Sequence, residues 1–118
     1  MIKILLKTRD KAIIGFESSG HANFAEQGED IICAAVSALT INSINTLEEV
    51  LNLDKEIRYT YGENEITLDI KPELLDEARL HDTQVVLRSY ELGIISIIKE
   101  YEHSKEFEDF ISLNYREV

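Results

Sequence analysis

The amino-acid sequence predicts an α+β fold, a β-β-α-β-β-α two-layer sandwich with two helices packed on a small sheet. Two pairs of segments rich in β-forming residues each precede a segment in which apolar residues recur at helical spacing. The chain has 118 residues, one proline and no low-complexity linker, so we expect a single domain over residues 1–118.

The first hairpin is predicted over residues 2–7 and 12–18, joined by a polar turn at residues 8–11. The apolar run at the start of the chain is too short for a signal peptide or a membrane span, and it meets charged residues at once. We therefore expect a first strand there. Residues 19–29 hold two glycines among polar neighbours and are predicted to form a loop.

The first helix is predicted to begin near Ile31, where apolar residues start to recur at helical spacing. Asp30 directly precedes this run and is expected to cap the helix, because a carboxylate oxygen can accept from the unpaired first-turn amides. The helix should end near residues 52–54.

The second half of the chain repeats the order of strands and helix. Residues 56–61 and 64–70 alternate in polarity and predict a hairpin. Residues 72–82 are expected to be a short helix or an irregular entry, and residues 83–103 give the clearest helical pattern. Residues 110–118 can form a last strand.

Gly93 interrupts the apolar pattern of the second helix. Glycine inside a helix costs about 1 kcal/mol relative to alanine, so its presence needs a reason. We expect it to allow a close helix–helix crossing.

The charge of the chain limits its partners. The formal net charge is -11 at pH 7, which argues against direct nucleic-acid binding, because that binding rests on cations that neutralise phosphates. A basic partner would be attracted to such a surface, although acidity also serves solubility. No membrane association is expected.

Cys33 is the only cysteine, so no internal disulfide can form, and we expect a reducing, cytoplasmic location. A thiol near a helix start has its pKa lowered by the macrodipole, whereas the nearby Asp30 carboxylate opposes the thiolate. Helical spacing places Cys33, Ser37 and Thr40 on one face, which we expect to be reachable from a cleft.

His21 lies in the loop that precedes the first helix, where it can act as the base for a cysteine nucleophile. Gly20 and Gly28 flank the intervening segment and permit the turns that would bring the two side chains together. The alternative is that Cys33 is structural and His21 solvated. One cysteine and one histidine fall short of a metal-ligand set, so neither a metal nor another cofactor is expected.

The pattern Gly20-His21-Ala22, five residues, Gly28, one residue, then residues 30–37 (DIICAAVS) resembles the signature of the ribosomal-processing cysteine proteases, the Prp family. The spacing is kept throughout, which makes the resemblance far more specific than an isolated cysteine and histidine.

This resemblance implies a cytoplasmic endopeptidase domain that removes the N-terminal extension of bacterial large-subunit ribosomal protein L twenty-seven. It implies Cys33 as nucleophile and His21 as general base, with Asp30 and Ser37 as supporting residues. It also implies a homodimer. We further expect residues 22–29, hinged at the two glycines, to act as a lid that moves to admit an extended peptide.

Two other hypotheses remain open from the sequence. One is a non-catalytic ribosome-assembly or protein-binding module in which Cys33 is structural. The other is a redox-sensing thiol, although the chain offers no second cysteine to resolve an oxidised form.

Overall fold

The computed structural model describes residues 1–20, 29–101 and 110–118, with the backbone alone at residues 29 and 30. Strands and helices alternate in the predicted order. The elements are β1 (Ile2–Arg9), β2 (Ala12–Ser19), α1 (Glu29–Asn45), a π-helical turn (Thr46–Val50), β3 (Ile57–Tyr61), β4 (Glu65–Ile70), a 3₁₀ turn (Pro72–Leu74), α2 (Glu77–Tyr101) and β5 (Ile111–Glu117).

The strands of the described residues form one mixed sheet in the order β3-β4-β2-β1-β5. Strand β5 runs parallel to β1, and the other neighbours are antiparallel. The predicted α+β sandwich is therefore confirmed, with the C-terminal residues 110–118 supplying the predicted last strand at one edge.

The turn between β1 and β2 is tighter than predicted. Strand β1 extends to Arg9, and only Asp10 and Lys11 connect it to β2, with φ angles of 50° and 71°. Positive φ at both central residues is the mark of a type I′ hairpin turn, whose twist matches that of the strands it joins.

One face of the sheet is covered by the helices and carries the core. Alternation along the strands places apolar side chains on this face. Its fully buried strand residues include Ile2, Ile4, Leu6, Phe16 and Leu68. These pack with buried residues of α1 and α2 in a single cluster, which includes Ile32, Val36, Ile44, Leu87, Tyr90 and Ile94.

The opposite face of the sheet is polar and centres on Lys7. Its Nζ lies 2.8 Å from Asp69 and 3.3 Å from Glu17. Burial lowers the pKa of Lys7, but the hydrogen bonds and charges of Asp69 and Glu17 outweigh it, so the pKa ends above its ordinary value. An antiparallel region with one apolar and one polar face is the expected form of a two-layer sandwich.

Helix α1 begins at Glu29, one residue before the predicted cap. Asp30 is therefore a helical residue of the first turn, and its predicted role as N-cap is wrong. The helix continues as a π-helical turn to Val50, close to the predicted end. Burial of Leu47 within that turn keeps this last segment attached to the core.

Residues 31–50 are long and apolar enough by length and composition to span a membrane, with a mean hydropathy of 1.3. Only 33% of that window is buried within the protein. The apolar residues of α1 thus serve the core on one side, and the helix also presents apolar side chains such as Ile31 and Ile41 outward.

Helix α2 begins at Glu77, six residues before the predicted start. The Asp76 carboxylate accepts a hydrogen bond from the Arg79 amide at 2.8 Å, which is the geometry of an N-cap. The sequence left residues 72–82 open between a short helix and an irregular entry, because residues 77–82 are mostly polar and a buried stripe of apolar residues begins only later. The structure has a 3₁₀ turn at Pro72–Leu74 and the first turns of α2 from Glu77 onward.

Gly93 lies where α2 packs against α1, but its close neighbour is a side chain. A Cβ added to Gly93 would lie 2.8 Å from Leu39 Cδ1. The glycine therefore makes room for the Leu39 side chain between the helices, rather than for direct backbone contact.

The cap of α2 can be tested by replacing Asp76 with alanine. Loss of the carboxylate should destabilise the protein by about 1 kcal/mol, because the Arg79 amide then loses its acceptor. Asp76→Asn keeps a side-chain oxygen and should change stability by less than about 0.5 kcal/mol. Urea denaturation of the three proteins measures both effects, and equal losses for the two variants would contradict the cap.

Candidate active site

Cys33 is the fifth residue of α1 and is half-buried, with its side chain packed against the edge of the core. In a helix that begins at Glu29, the amide of Cys33 is already within the helical hydrogen-bond ladder. The unpaired amides belong to the residues just before it. Cys33 thus lies at the end of the first turn, slightly deeper along the helix than predicted.

The face that carries Cys33 is only partly as predicted. Ser37 lies one turn further along α1 and is half-buried, like Cys33. Thr40, in contrast, is fully buried and hydrogen-bonds to the Val36 carbonyl and to Tyr90. The prediction that Thr40 extends a reachable polar face is therefore wrong, and the accessible part of this face ends at Ser37.

Gly20 directly follows β2, and both its backbone conformation and its close neighbours require a glycine at this position. Its φ is 87°, a region that glycine adopts readily and other residues rarely do. A Cβ at this position would overlap the carbonyl oxygen of Met1. The Gly20 amide also donates to the Asn64 carbonyl at 3.1 Å. The residue that precedes His21 is thus fixed against two other parts of the chain.

Several predicted site residues lie outside the described part of the chain. These are His21, Gly28, the predicted lid at residues 22–29 except for the backbone of its last residue, and the side chain of Asp30. The structure therefore shows where Cys33, Ser37 and Gly20 lie, while the pairing of Cys33 with His21 stays a prediction. Among the described residues, no three His, Cys, Asp or Glu side chains are grouped as metal ligands.

The structure adds a buried polar contact between α1 and α2, about two turns along α1 from Cys33, that the sequence analysis missed. Tyr90 of α2 has 1% of its surface exposed, and its hydroxyl lies 3.0 Å from Thr40 Oγ1 of α1. The side chain of Ser18 in β2 is fully buried as well. The sequence could have indicated these residues, because each is a polar residue at an inward-facing position of its strand or helix.

Comparison with known proteins places this arrangement in a family. The family model described as Cysteine protease Prp matches residues 1–105. The chain belongs to the cysteine protease Prp family. A relative from Bacillus subtilis (strain 168), the ribosomal processing cysteine protease Prp, is 34% identical over 94 residues, covering 71% of this chain and 84% of the relative. The protein is accordingly a cysteine-type peptidase.

Solved structures show the same Prp fold. SMU.848 from Streptococcus mutans aligns with a TM-score of 0.77 at 22% identity, covering 100% of this chain and 96% of that one. Prp from S. aureus in complex with a substrate peptide aligns with a TM-score of 0.74 at 22% identity, covering 98% of this chain and 100% of that one. These likenesses confirm the α+β architecture.

Gly20 offers a test of how strongly the end of β2 is constrained. Gly20→Ala should destabilise the protein by at least about 2 kcal/mol, because alanine disfavours this φ and its Cβ would displace the Met1 carbonyl. Gly62→Ala is the matched control at an exposed glycine, where the new Cβ would lie 3.1 Å from the Glu65 oxygen.

The control should lose about 1 kcal/mol or less. Thermal and urea unfolding of both variants provide the measurement. Equal stability of Gly20→Ala and the parent protein would show that this end of β2 adjusts freely.

Proposed function

We propose that this Prp-family peptidase removes the N-terminal extension of large-subunit ribosomal protein L twenty-seven, with Cys33 as nucleophile and His21 as general base. The observation that carries the proposal is the position of Cys33. It is half-exposed at the end of the first turn of α1, and the chain reaches that helix from the constrained end of β2, which His21 follows in the sequence.

The proposed reaction is acyl transfer through a thioester. The Cys33 sulfur attacks the scissile carbonyl, and His21 protonates the leaving amine as the C–N bond breaks. Water then attacks the thioester, with His21 accepting its proton, and the Cys33 thiol is regenerated. Backbone amides at residues 29–31 have no acceptor within the helix and are suited to stabilise the oxyanion.

Asp30 and Ser37 are proposed as supporting residues. Asp30 precedes Cys33 by three positions in the same helix, and Ser37 follows it by four. The spacing of four places Ser37 on the helix face that carries the thiol. Ser37 is half-buried and can contact a peptide bound over Cys33.

Two kinds of observation support the choice of substrate. The B. subtilis relative is named for ribosomal processing, and S. aureus Prp has been solved with a substrate peptide and with a covalently linked product peptide. A covalently linked product is what a cysteine nucleophile would leave on its own side chain.

The net charge of the chain and its single cysteine support the proposed substrate and the proposed cytoplasmic location. A net charge of -11 attracts a basic ribosomal protein, over a range screened to ~10 Å at 0.1 M salt. A reduced cysteine and a ribosomal substrate both suit the cytoplasm.

A peptide that spans the processing site of the substrate tests the activity. The wild-type protein should cleave it at one bond, detected by mass spectrometry. Cys33→Ala and His21→Ala should each reduce kcat/KM by on the order of 10³-fold or more, because the two residues act as one unit. Ser96→Ala removes an exposed hydroxyl of α2 and should leave cleavage unchanged.

Cleavage that persists in Cys33→Ala would overturn the mechanism. If the wild-type protein cleaves neither the peptide nor the whole ribosomal protein but still binds it, the chain is a binding module with a structural cysteine. The alkylation rate of Cys33 gives a second measure, since His21→Ala should slow it near neutral pH only if the histidine activates the thiol.

We propose further that the protein is a homodimer that covers the outer face of the two helices. This face, turned away from the sheet, exposes 62% of Ile31 and 64% of Leu92. It also contains a groove of about 730 Å³ lined by Ala35, Ala38, Leu39, Asn42, Gly93 and Ile97. A second copy would bury these apolar side chains, which water otherwise contacts.

Light scattering after size-exclusion chromatography tests the dimer. The wild-type protein should have twice the 13.5 kDa mass of one chain. Leu92→Glu should give the single-chain mass, because it places a charge on the buried face. Leu74→Glu changes another exposed leucine, 53% accessible and outside that face, and should remain dimeric. A wild-type monomer, or equal effects of the two variants, would contradict the proposal.

A further inference from the structure

Strand β3 lies at one edge of the sheet, and among the described residues it pairs only with β4. Two hydrogen bonds at the ends of this pairing fix its pattern. The Gly62 amide donates to the Glu65 carbonyl at 2.7 Å, and the Lys71 amide donates to the Glu56 carbonyl at 2.8 Å. Because hydrogen-bonded and non-hydrogen-bonded pairs alternate along an antiparallel ladder, these bonds show which residues of β3 face β4.

Arg58 and Thr60 are the residues of β3 that exchange backbone hydrogen bonds with β4, because bonded pairs recur at every second residue. The N–H and C=O groups of Ile57, Tyr59 and Tyr61 therefore point away from β4, and we name these groups the open edge of β3. Each residue offers one donor and one acceptor, and together they extend over roughly 14 Å. Such an edge can bond to an added strand.

The two faces of β3 carry different side chains beside the open edge. Alternation places Arg58 and Thr60 on the polar face of the sheet, and Tyr59 and Tyr61 on the helix-covered face with the buried Ile57. The two tyrosine rings lie side by side with their centroids 5.3 Å apart, and 51% of Tyr61 is exposed. An added strand would therefore lie against aromatic rings on one face and against a cation on the other.

The tyrosine side of the open edge is also acidic. A hydrogen bond to Glu48 raises the pKa of Tyr59, and burial together with the negative charge of Glu48 raises the pKa of Tyr61. Glu49 follows Glu48 in the π-helical turn and is exposed. Cations are attracted both to the faces of aromatic rings and to carboxylates, so this side of the edge favours a basic side chain.

We propose that the open edge of β3 binds an extended, basic stretch of the ribosomal protein substrate as an added antiparallel strand. This inference rests on the proposed function, which supplies the basic substrate. Backbone hydrogen bonds along an edge give affinity for an extended peptide, and side chains beside the edge give specificity. Antiparallel pairing is slightly more stable per residue than parallel pairing.

The open edge also has a suitable place in the fold. Tyr61 pairs with Ile66 of β4, which pairs in turn with Ser18 of β2. The open edge thus ends at the side of the sheet where β2 ends and the chain continues toward α1. A substrate strand held there would leave the sheet on the side of the helix that carries Cys33.

An antiparallel addition predicts a pattern in the bound peptide. Residues directly opposite Tyr59 and Tyr61 place their side chains on the tyrosine face, where lysine or arginine is attracted. The residue between them lies beside Arg58 on the other face, where a second cation would be repelled. The open edge should therefore prefer basic residues at alternate positions over a consecutive basic run.

The other edge strand of the described residues, β5, is less suited to a basic peptide. Its Tyr115 hydroxyl donates to Glu91 of α2 at 2.5 Å, so this tyrosine and a carboxylate are already joined to each other. Arg116 lies on its polar face, 3.3 Å from Glu17. Side-by-side aromatic rings occur on β3 and not on β5 within the described residues.

Binding of a fluorescently labelled synthetic peptide that alternates lysine and threonine tests the site directly, by anisotropy. A peptide of the same composition with its lysines in one block should bind about fivefold more weakly. N-methylation of the lysine amides, which face β3 in the proposed strand, should raise Kd by about 10-fold or more. N-methylation of the threonine amides should change Kd by less than about twofold, because those amides point away from β3.

Two variants of the protein test the side chains beside the open edge. Tyr61→Thr and Glu48→Gln should each raise Kd by about two- to fivefold. Glu73→Gln removes an exposed carboxylate of the 3₁₀ turn and is the matched control, which should bind as the wild-type protein does. In cleavage of a substrate peptide that contains the basic stretch, the first two variants should raise KM by a similar factor with kcat changed less than about twofold.

Several outcomes would overturn the proposal. Equal affinity for the alternating and block peptides, or equal sensitivity to N-methylation at both sets of positions, would rule out strand addition. Equal effects of Glu48→Gln and Glu73→Gln would show that net charge alone attracts the peptide. If the wild-type protein cleaves no substrate, the proposed function fails, while the anisotropy measurements still decide whether the open edge of β3 binds a basic strand.

Discussion

The structure depends on the burial of β2 in the middle of the sheet. This strand pairs with β1 on one edge and with β4 on the other, so its backbone is fixed along its length. Its inward face carries Phe16 and Ser18, and the first of these stacks on Tyr90 of α2. Because β2 cannot shift without breaking two ladders, it is the fixed reference for the helices above it. Gly20, which directly follows β2, is held in place as well, because its amide donates to the Asn64 carbonyl.

Periodicity alone predicted most of the fold. The two hairpins, both helices and the C-terminal strand follow from alternation and helical spacing, since burial of one face imposes these patterns on each element. The start of α2 did not follow, because its first turn at Glu77 is exposed and carries no apolar pattern. Its cap at Asp76 is a local hydrogen bond, which a single aspartate in an acidic chain does not distinguish from many others.

The candidate site was predictable only in part, and Thr40 shows why. Helical spacing placed Thr40 on the face of Cys33 and Ser37, and that placement holds. Whether a position on that face is reachable depends on what packs above it, and here it is Tyr90, fifty positions away in the sequence. The pattern within one element carries no information about such a distant partner. The same limit applies to Ser18, whose inward orientation is clear only once β2 is paired with both neighbours.

The two residues of the proposed catalytic pair belong to different elements, so their geometry has to be set by what connects those elements. Along the chain, that connection is residues 21–28. Through the interior, it is Tyr90, whose ring stacks on Phe16 of β2 and whose hydroxyl bonds Thr40 of α1. A ring stacked in a close-packed core and a hydroxyl bonded to α1 both resist displacement of these two elements relative to each other. The distance between the two elements would then depend on this interior contact as well as on the chain that joins them.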